Sequence, residues 1–229
     1  LAQHELEVDV PVDHREVAAT LSIPDHAQAI VLFAHGSGSS RFSPRNRYVA
    51  DVLRDAGLAT LRVDLLTVEE ERIDSVTSRY RFDIPLLANR LKAATDWVET
   101  TDPLRSMRLG YFGASTGAAA ALIAAAHRAS SIGAIVCRGG RPELAEAALP
   151  HVTAPTLFIV GEDDHPVVER NRAAFEHLGA TQKDLRVIAG ASHLFEEAGS
   201  LQEVAHLSAA WFGQFLRPES HADAPAVAW

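Results

Sequence analysis

Hydrophobic and polar positions alternate near the start of the chain, in Glu5–Val10 and again in Glu16–Ile23, with Pro11-Val12-Asp13-His14 between them. Alternation with a turn in the middle predicts an antiparallel strand pair, placed at a sheet edge. From Ala29 onward the pattern changes. Short strand-like runs, Ala29–Ala34, Leu58–Val63, Met107–Phe112, Ile132–Val136, Thr156–Val160 and Asp184–Ile188, predict strands, the continuous apolar ones buried on both faces. Between them lie stretches with apolar residues at helical spacing: Arg45–Ala56, Phe82–Thr100, Ser115–Arg128, a short one from Pro142 to about Ala148, Pro166–Leu178 and Leu201–Leu216. In Phe82–Thr100 the stripe is Ile84, Leu87, Leu91, Ala94, Trp97 and Val98, and Pro85 sits in the first turn, where a missing N–H is tolerated.

Regular alternation of strand and helix predicts an α/β fold: a mainly parallel central sheet with helices on both faces. No repeat and no linker interrupts it, so residues 1–217 read as one domain. Residues 218–229, rich in Ala and Pro, read as a poorly ordered C-terminal tail. Between Val136 and Thr156 there is no room for a large cap domain. One stretch fits neither period. Asp64–Arg81 holds Glu69-Glu70-Glu71-Arg72 and Arg79-Tyr80-Arg81, and reads as a solvated loop, with a substrate lid as the other reading.

Composition narrows the function without naming it. The 229 residues suffice for one well-buried core. A net charge of −9 argues against nucleic acid or an anionic membrane surface as the main partner. The longest apolar run, Ala118–Ala126, is too short to span a bilayer, and no basic-then-apolar leader opens the sequence, so a cytoplasmic location is expected. The single cysteine, Cys137, rules out an internal disulfide and fits a reducing compartment; at the end of a buried strand it reads as an inert core thiol. Eleven histidines invite a metal reading, but none pair at helical ligand spacing and Cys-x-x-Cys is absent, so no metal and no cofactor are expected.

The chemistry concentrates in Leu109–Ala120, an apolar strand, a turn Gly113-x-Ser115-x-Gly117, and an Ala-rich helix. A serine at such an apex has its hydroxyl pushed out of the sheet, glycines two residues away on each side avoid crowding it, and the helix N-terminus favours developing negative charge there. A serine hydroxyl is a weak nucleophile and needs a base, which in turn needs an acid to orient it. Both follow in chain order at strand ends. Gly161-Glu162-Asp163-Asp164 supplies acids, and Gly190-Ala191-Ser192-His193 supplies the base. Ser115, His193 and one of these acids are therefore the expected triad; the turn resembles the Gly-x-x-Asp-x-x-Val of the α/β-hydrolases, and that resemblance implies Asp164 rather than Asp163, with Gly161 and Val167 in register and Pro166 near the first helical position. The oxyanion donors are expected from the backbone N–H groups of Thr116 and of Ser37 in His35-Gly36-Ser37-Gly38. Arg138 and Arg141, flanking a Gly-Gly turn, are candidate ligands for a substrate carboxylate.

These four motifs resemble the α/β-hydrolase superfamily over nearly the whole chain, and most closely its compact branch around dienelactone hydrolase. The branch's namesake uses a cysteine nucleophile. Ser115 stands at that position here, which favours ordinary ester chemistry over dienelactone. The resulting expectation is a carboxylesterase-type serine hydrolase acting on small, short-chain esters through an acyl-enzyme. A lactone or thioester hydrolase or an acyltransferase would use the same machinery, and a ligand-binding protein on a hydrolase scaffold is the reading from another class. Expected partners are small-molecule esters.

Overall fold

The computed structural model describes residues 5–216; the expected tail lies outside the described residues. Eight strands form one sheet in the order β1-β2-β4-β3-β5-β6-β7-β8. They are β1 (Glu5–Val12), β2 (Arg15–Ser22), β3 (Ala29–Ala34), β4 (Ala59–Val63), β5 (Arg108–Ala114), β6 (Ile132–Arg138), β7 (Thr156–Gly161) and β8 (Lys183–Ile188). The two alternating stretches pair antiparallel at one edge, and β2 also runs antiparallel to β4; all other pairs are parallel. The switch in hydrophobic pattern at Ala29 thus marks the switch from edge ribbon to parallel sheet.

Six α-helices occur among the described residues: α1 (Pro44–Asp55), α2 (Val68–Thr77), α3 (Ile84–Thr100), α4 (Thr116–His127), α5 (His165–His177) and α6 (Ser200–Phe215). On one face, α1 and α6 bury Val49, Leu53, Val204 and Phe212 against Val31, Phe33, Phe112, Ala134 and Val136. On the other, α3 and α4 cover Ile30, Leu32, Tyr111 and Ile135. Helix α4 is enclosed on nearly all sides, which explains its alanines: small side chains let its axis lie close to the sheet and to α3. The Tyr111 hydroxyl on β5 is 2.6 Å from the Thr95 hydroxyl of α3, so its burial leaves no phenol unpaired.

Two stretches differ from the sequence expectation. Asp64–Arg81 is not a solvated loop throughout, because Val68–Thr77 forms α2. Thr67 and Glu70 make a reciprocal capping box, and Glu70 also receives the Arg90 guanidinium of α3 at 2.9 Å. Asp74 is enclosed and accepts the N–H groups of Tyr80 and Arg81 and the Arg81 Nε. Of the charges in this stretch, Glu70, Asp74 and Arg81 are enclosed or half-buried and paired, while Glu69, Glu71, Arg72 and Arg79 are exposed. Between β6 and β7, the short helix expected from Pro142 to about Ala148 is a 3-10 helix that runs Pro142–His151 and is broken at Ala145. No large cap covers the sheet ends among the described residues.

Candidate active site

Parallel register brings the carboxyl ends of β3, β5, β6, β7 and β8 to one edge. Ala34 pairs with Gly113, Gly113 with Cys137, Ala114 with Arg138, Arg138 with Ile159, and Gly161 with Ile188. The loops beginning at His35, Ser115, Gly139, Glu162 and Ala189 therefore emerge side by side, and they carry Ser37, Ser115, Arg141, Asp164 and His193, while Arg138 ends β6 and Thr116 opens α4.

Ser115 connects β5 to α4 with φ 52° and ψ −119°, a strained backbone for a residue with a side chain. Its N–H donates to the Arg138 carbonyl at 3.1 Å, and its own carbonyl accepts from Arg141 N–H at 3.1 Å, which fixes the apex from both sides. The flanking glycines are required by close approach. A Cβ on Gly113 would lie 2.5 Å from the Ala118 Cα, and one on Gly117 would lie 2.2 Å from the Ala34 carbonyl oxygen. Thr116, at the first position of α4, has an N–H with no partner inside the helix.

His193 leaves the loop after β8, and its Nδ1 lies 2.6 Å from Asp164 Oδ2 at the start of α5. The ring rests on Gly139, where an added Cβ would come within 3.3 Å of Cε1. The neighbouring acids are occupied elsewhere. Glu162 accepts the Gly190 N–H at 2.9 Å, and Asp163 is exposed, its N–H donating to the Ala191 carbonyl. The structure brings His193 and Asp164 into contact beside the Ser115 apex. Among the described residues no hydrogen bond joins the Ser115 hydroxyl to the His193 ring.

The loop after β3 lies directly over the serine, since a Cβ on Gly36 would sit 3.0 Å from the Ser115 Cβ. Here the structure adds a residue that the sequence argument overlooked. His35 is buried; its Nε2 accepts the Leu65 N–H at 3.1 Å, so the ring is neutral and its proton is on Nδ1, 2.9 Å from the Gly36 carbonyl. Burial lowers its pKa, opposed by the Gly36 carbonyl and by the Asp64 and Glu71 charges. Ser39 N–H donates to the same Gly36 carbonyl at 3.2 Å. In a trans peptide the C=O and the following N–H point opposite ways. Two donors holding the Gly36 oxygen therefore turn the Ser37 N–H to the other side of the peptide. The sequence signal was a histidine heading a Gly/Ser loop, but its ring partner, Leu65, lies 30 positions away.

The two candidate arginines part company. The Arg141 guanidinium is held by Glu143 and is half-buried. Arg138 is buried and has no carboxylate partner among the described residues. Cys137 is fully buried on the same strand, and burial pushes its thiol pKa up, away from the nucleophilic thiolate. Among the described residues no group of histidine, cysteine or acidic side chains forms a metal cluster, and no helix is long and apolar enough to cross a membrane.

Strand order, elbow and loop placement are those of an α/β-hydrolase of the dienelactone hydrolase-like branch. Residues 54–223 match the model of the PET hydrolase-like family, and the chain belongs to that family. A dienelactone hydrolase from Anabaena variabilis superposes with a TM-score of 0.92 at 56% identity, covering 94% of this chain and 99% of that one. Est1E from Butyrivibrio proteoclasticus shares the fold, with a TM-score of 0.76 at 17% identity over 91% of this chain and 98% of its own. Two Mycobacterium tuberculosis proteins described as phosphoribosyl transferases are 52% identical over 206 residues, which is 90% of this chain and 45% of theirs. The chain thus spans a little under half the length of those curated relatives.

Proposed function

We propose that this chain hydrolyses small carboxylic esters through a serine acyl-enzyme. Ser115 attacks the acyl carbon. His193 Nε2 takes the hydroxyl proton and then delivers it to the leaving alkoxide. Asp164 holds the Nδ1–H tautomer and stabilises the imidazolium. The N–H groups of Ser37 and Thr116 receive the developing oxyanion. Water, activated by His193, releases the acid. The observation that carries this reading is the 2.6 Å contact of Asp164 with His193 beside a serine held at positive φ. Strain at one serine together with an oriented imidazole is the arrangement nucleophilic catalysis needs.

The absence of a large cap among the described residues supports soluble, short-chain substrates. The Anabaena relative's name supports a second reading, in which a cyclic ester is opened by the same steps. Phosphoribosyl transfer is named for proteins about twice this length, and the stretch they share with this chain is its α/β-hydrolase domain. The test is turnover of p-nitrophenyl acetate together with labelling by a fluorophosphonate, located by mass spectrometry. Label at Ser115 and a fall in kcat of about 10⁴-fold or more in a folded Ser115→Ala protein are expected. Label at another serine, or an active variant, refutes the assignment.

A further inference from the structure

Arg138 poses a problem of charge. It is 8% exposed, yet it makes no ion pair among the described residues, and its Nη1 is enclosed without a hydrogen-bond partner. Its alternation along β6 puts its side chain on the same face as Ala134 and Val136, the face covered by α1 and α6. Arg45, in the first turn of α1, has its Nε enclosed and unpartnered as well. Arg45 reaches the loop after His193 through Glu196, at 3.4 Å, while Gly139, next to Arg138, touches the His193 ring. Arg45 is therefore tied to the loop that carries His193, and the backbone of Arg138 lies one residue from the glycine that meets the His193 ring. Burial lowers the Arg138 pKa to about 10, and the Arg45 charge adds to the fall, so Arg138 remains a cation at neutral pH. A buried charge without a counter-charge is strongly destabilising, and the exposed Glu196 pair is too solvated to offset it.

We infer that Arg138 and Arg45 bind one small monoanion between the end of β6, the first turn of α1 and the loop carrying His193. Guanidinium donors suit a carboxylate or a halide, and the one buried charge without a counter-charge among the described residues, that of Arg138, calls for a monoanion. The Arg138 carbonyl holds the Ser115 N–H, so the site adjoins the proposed acyl site and can be filled either by a free ion or by the carboxylate of a bound ester. The second source rests on the proposed esterase function; the first does not.

The experiment separates the two sources. Thermal unfolding of the purified protein is followed in sodium chloride and sodium acetate against sodium HEPES, a bulky anion, at equal ionic strength. A free ion raises Tm with the logarithm of its concentration, by roughly 5 °C at a hundredfold excess over Kd. In HEPES, Arg138→Met is expected to unfold at a higher temperature than wild type and to lose the anion response, because it removes an uncompensated charge. Arg45→Gln, at a half-exposed residue, weakens the response and serves if Arg138→Met fails to fold. If Tm is flat, KM for the p-nitrophenyl half-ester of succinate is compared with that for the acetate. A rise of about tenfold or more in Arg138→Met for the half-ester, beyond any change for acetate, assigns the site to the substrate carboxylate. Flat Tm with no such difference overturns the site, as does an Arg138→Met protein less stable than wild type in HEPES. The unfolding measurements need no turnover, so they stand whether or not the ester is hydrolysed.

Discussion

Replacing Asp164 by asparagine tests the proposed mechanism at its most specific point. In the native site the carboxylate can only accept, so the His193 proton is drawn to Nδ1 and Nε2 is left bare to act as base. An amide in the same place can turn its NH₂ toward Nδ1. That fixes the proton on Nε2, and no base faces the serine. The loss also removes the negative charge that stabilises the imidazolium. Loss of both functions in a well-buried triad lowers kcat by about 10⁴-fold, or roughly 5.4 kcal/mol at 1.36 kcal/mol per decade. Here the His193 side chain is 38% exposed and Asp164 is 15% exposed, so water can replace part of the lost stabilisation. We therefore expect a fall nearer 10³-fold, about 4 kcal/mol.

The comparison is with Asp163→Asn and Glu162→Gln, measured on p-nitrophenyl acetate at one pH with folding checked by circular dichroism. Asp163 is exposed and Glu162 serves the Gly190 N–H, so Asp163→Asn should cost less than about tenfold in kcat, and Glu162→Gln should show up mainly as lost stability. A crippled Asp163→Asn enzyme beside a nearly normal Asp164→Asn enzyme would refute the reasoning. So would a tenfold or smaller effect of Asp164→Asn in a folded protein.

Cys137→Ala should keep most of the activity, since the thiol is fully buried and burial disfavours its thiolate; loss of turnover in a folded variant would count against Ser115 as nucleophile. Acetyl and butyryl esters should give higher kcat/KM than octanoyl esters, and an optimum at long chains would make α2 a lid instead. His35 is buried neutral with a lowered pKa, so between that value and the unfolded value of about 6.5 the unfolded chain binds the extra proton. Its contribution to stability is thus complete above about pH 6.5 and declines on acidification, by up to about 1.4 kcal/mol per pH unit. Urea unfolding from pH 7.5 to 5 should show a shallower decline in His35→Gln than in wild type, and equal slopes would refute the assignment.

The parallel sheet was legible because strands buried on both faces and helices buried on one leave different periods in the chain. The elbow was legible because its glycines, the serine and the following helix are adjacent in sequence. Asp164 was preferred over Asp163 on the register of the turn that the superfamily resemblance implies, and in the structure Asp164 is the N-cap residue of α5 and meets His193. The face of β6 occupied by Cys137 follows from the same alternation, and its burial was foreseen.

What escaped the sequence depends on partners far along the chain. Glu70 and Asp74 lie in a charge run, and charge runs are ordinarily solvated. Their burial depends on Arg90, 20 positions away in another helix, and on an Asp74–Arg81 contact that exists only once α2 has turned back. His35 likewise becomes a strap for the Gly36 carbonyl only when β4 brings Leu65 beside it. Arg138 carries the point furthest. Its position at a strand end marked it as a candidate for substrate binding, and Arg141, two residues beyond the Gly-Gly turn's start, seemed its equal. Strand alternation separates them: Arg141 has left the sheet and meets Glu143, while Arg138 continues the buried face of Ala134 and Val136. A sequence can place a charge on a face, but whether a counter-charge waits there depends on helices threaded from elsewhere. Around Arg138 those helices bring Arg45, a second cation. The carboxylate tied to Arg45, Glu196, is exposed, and so the folded chain encloses Arg138 Nη1 and Arg45 Nε without a partner among the described residues.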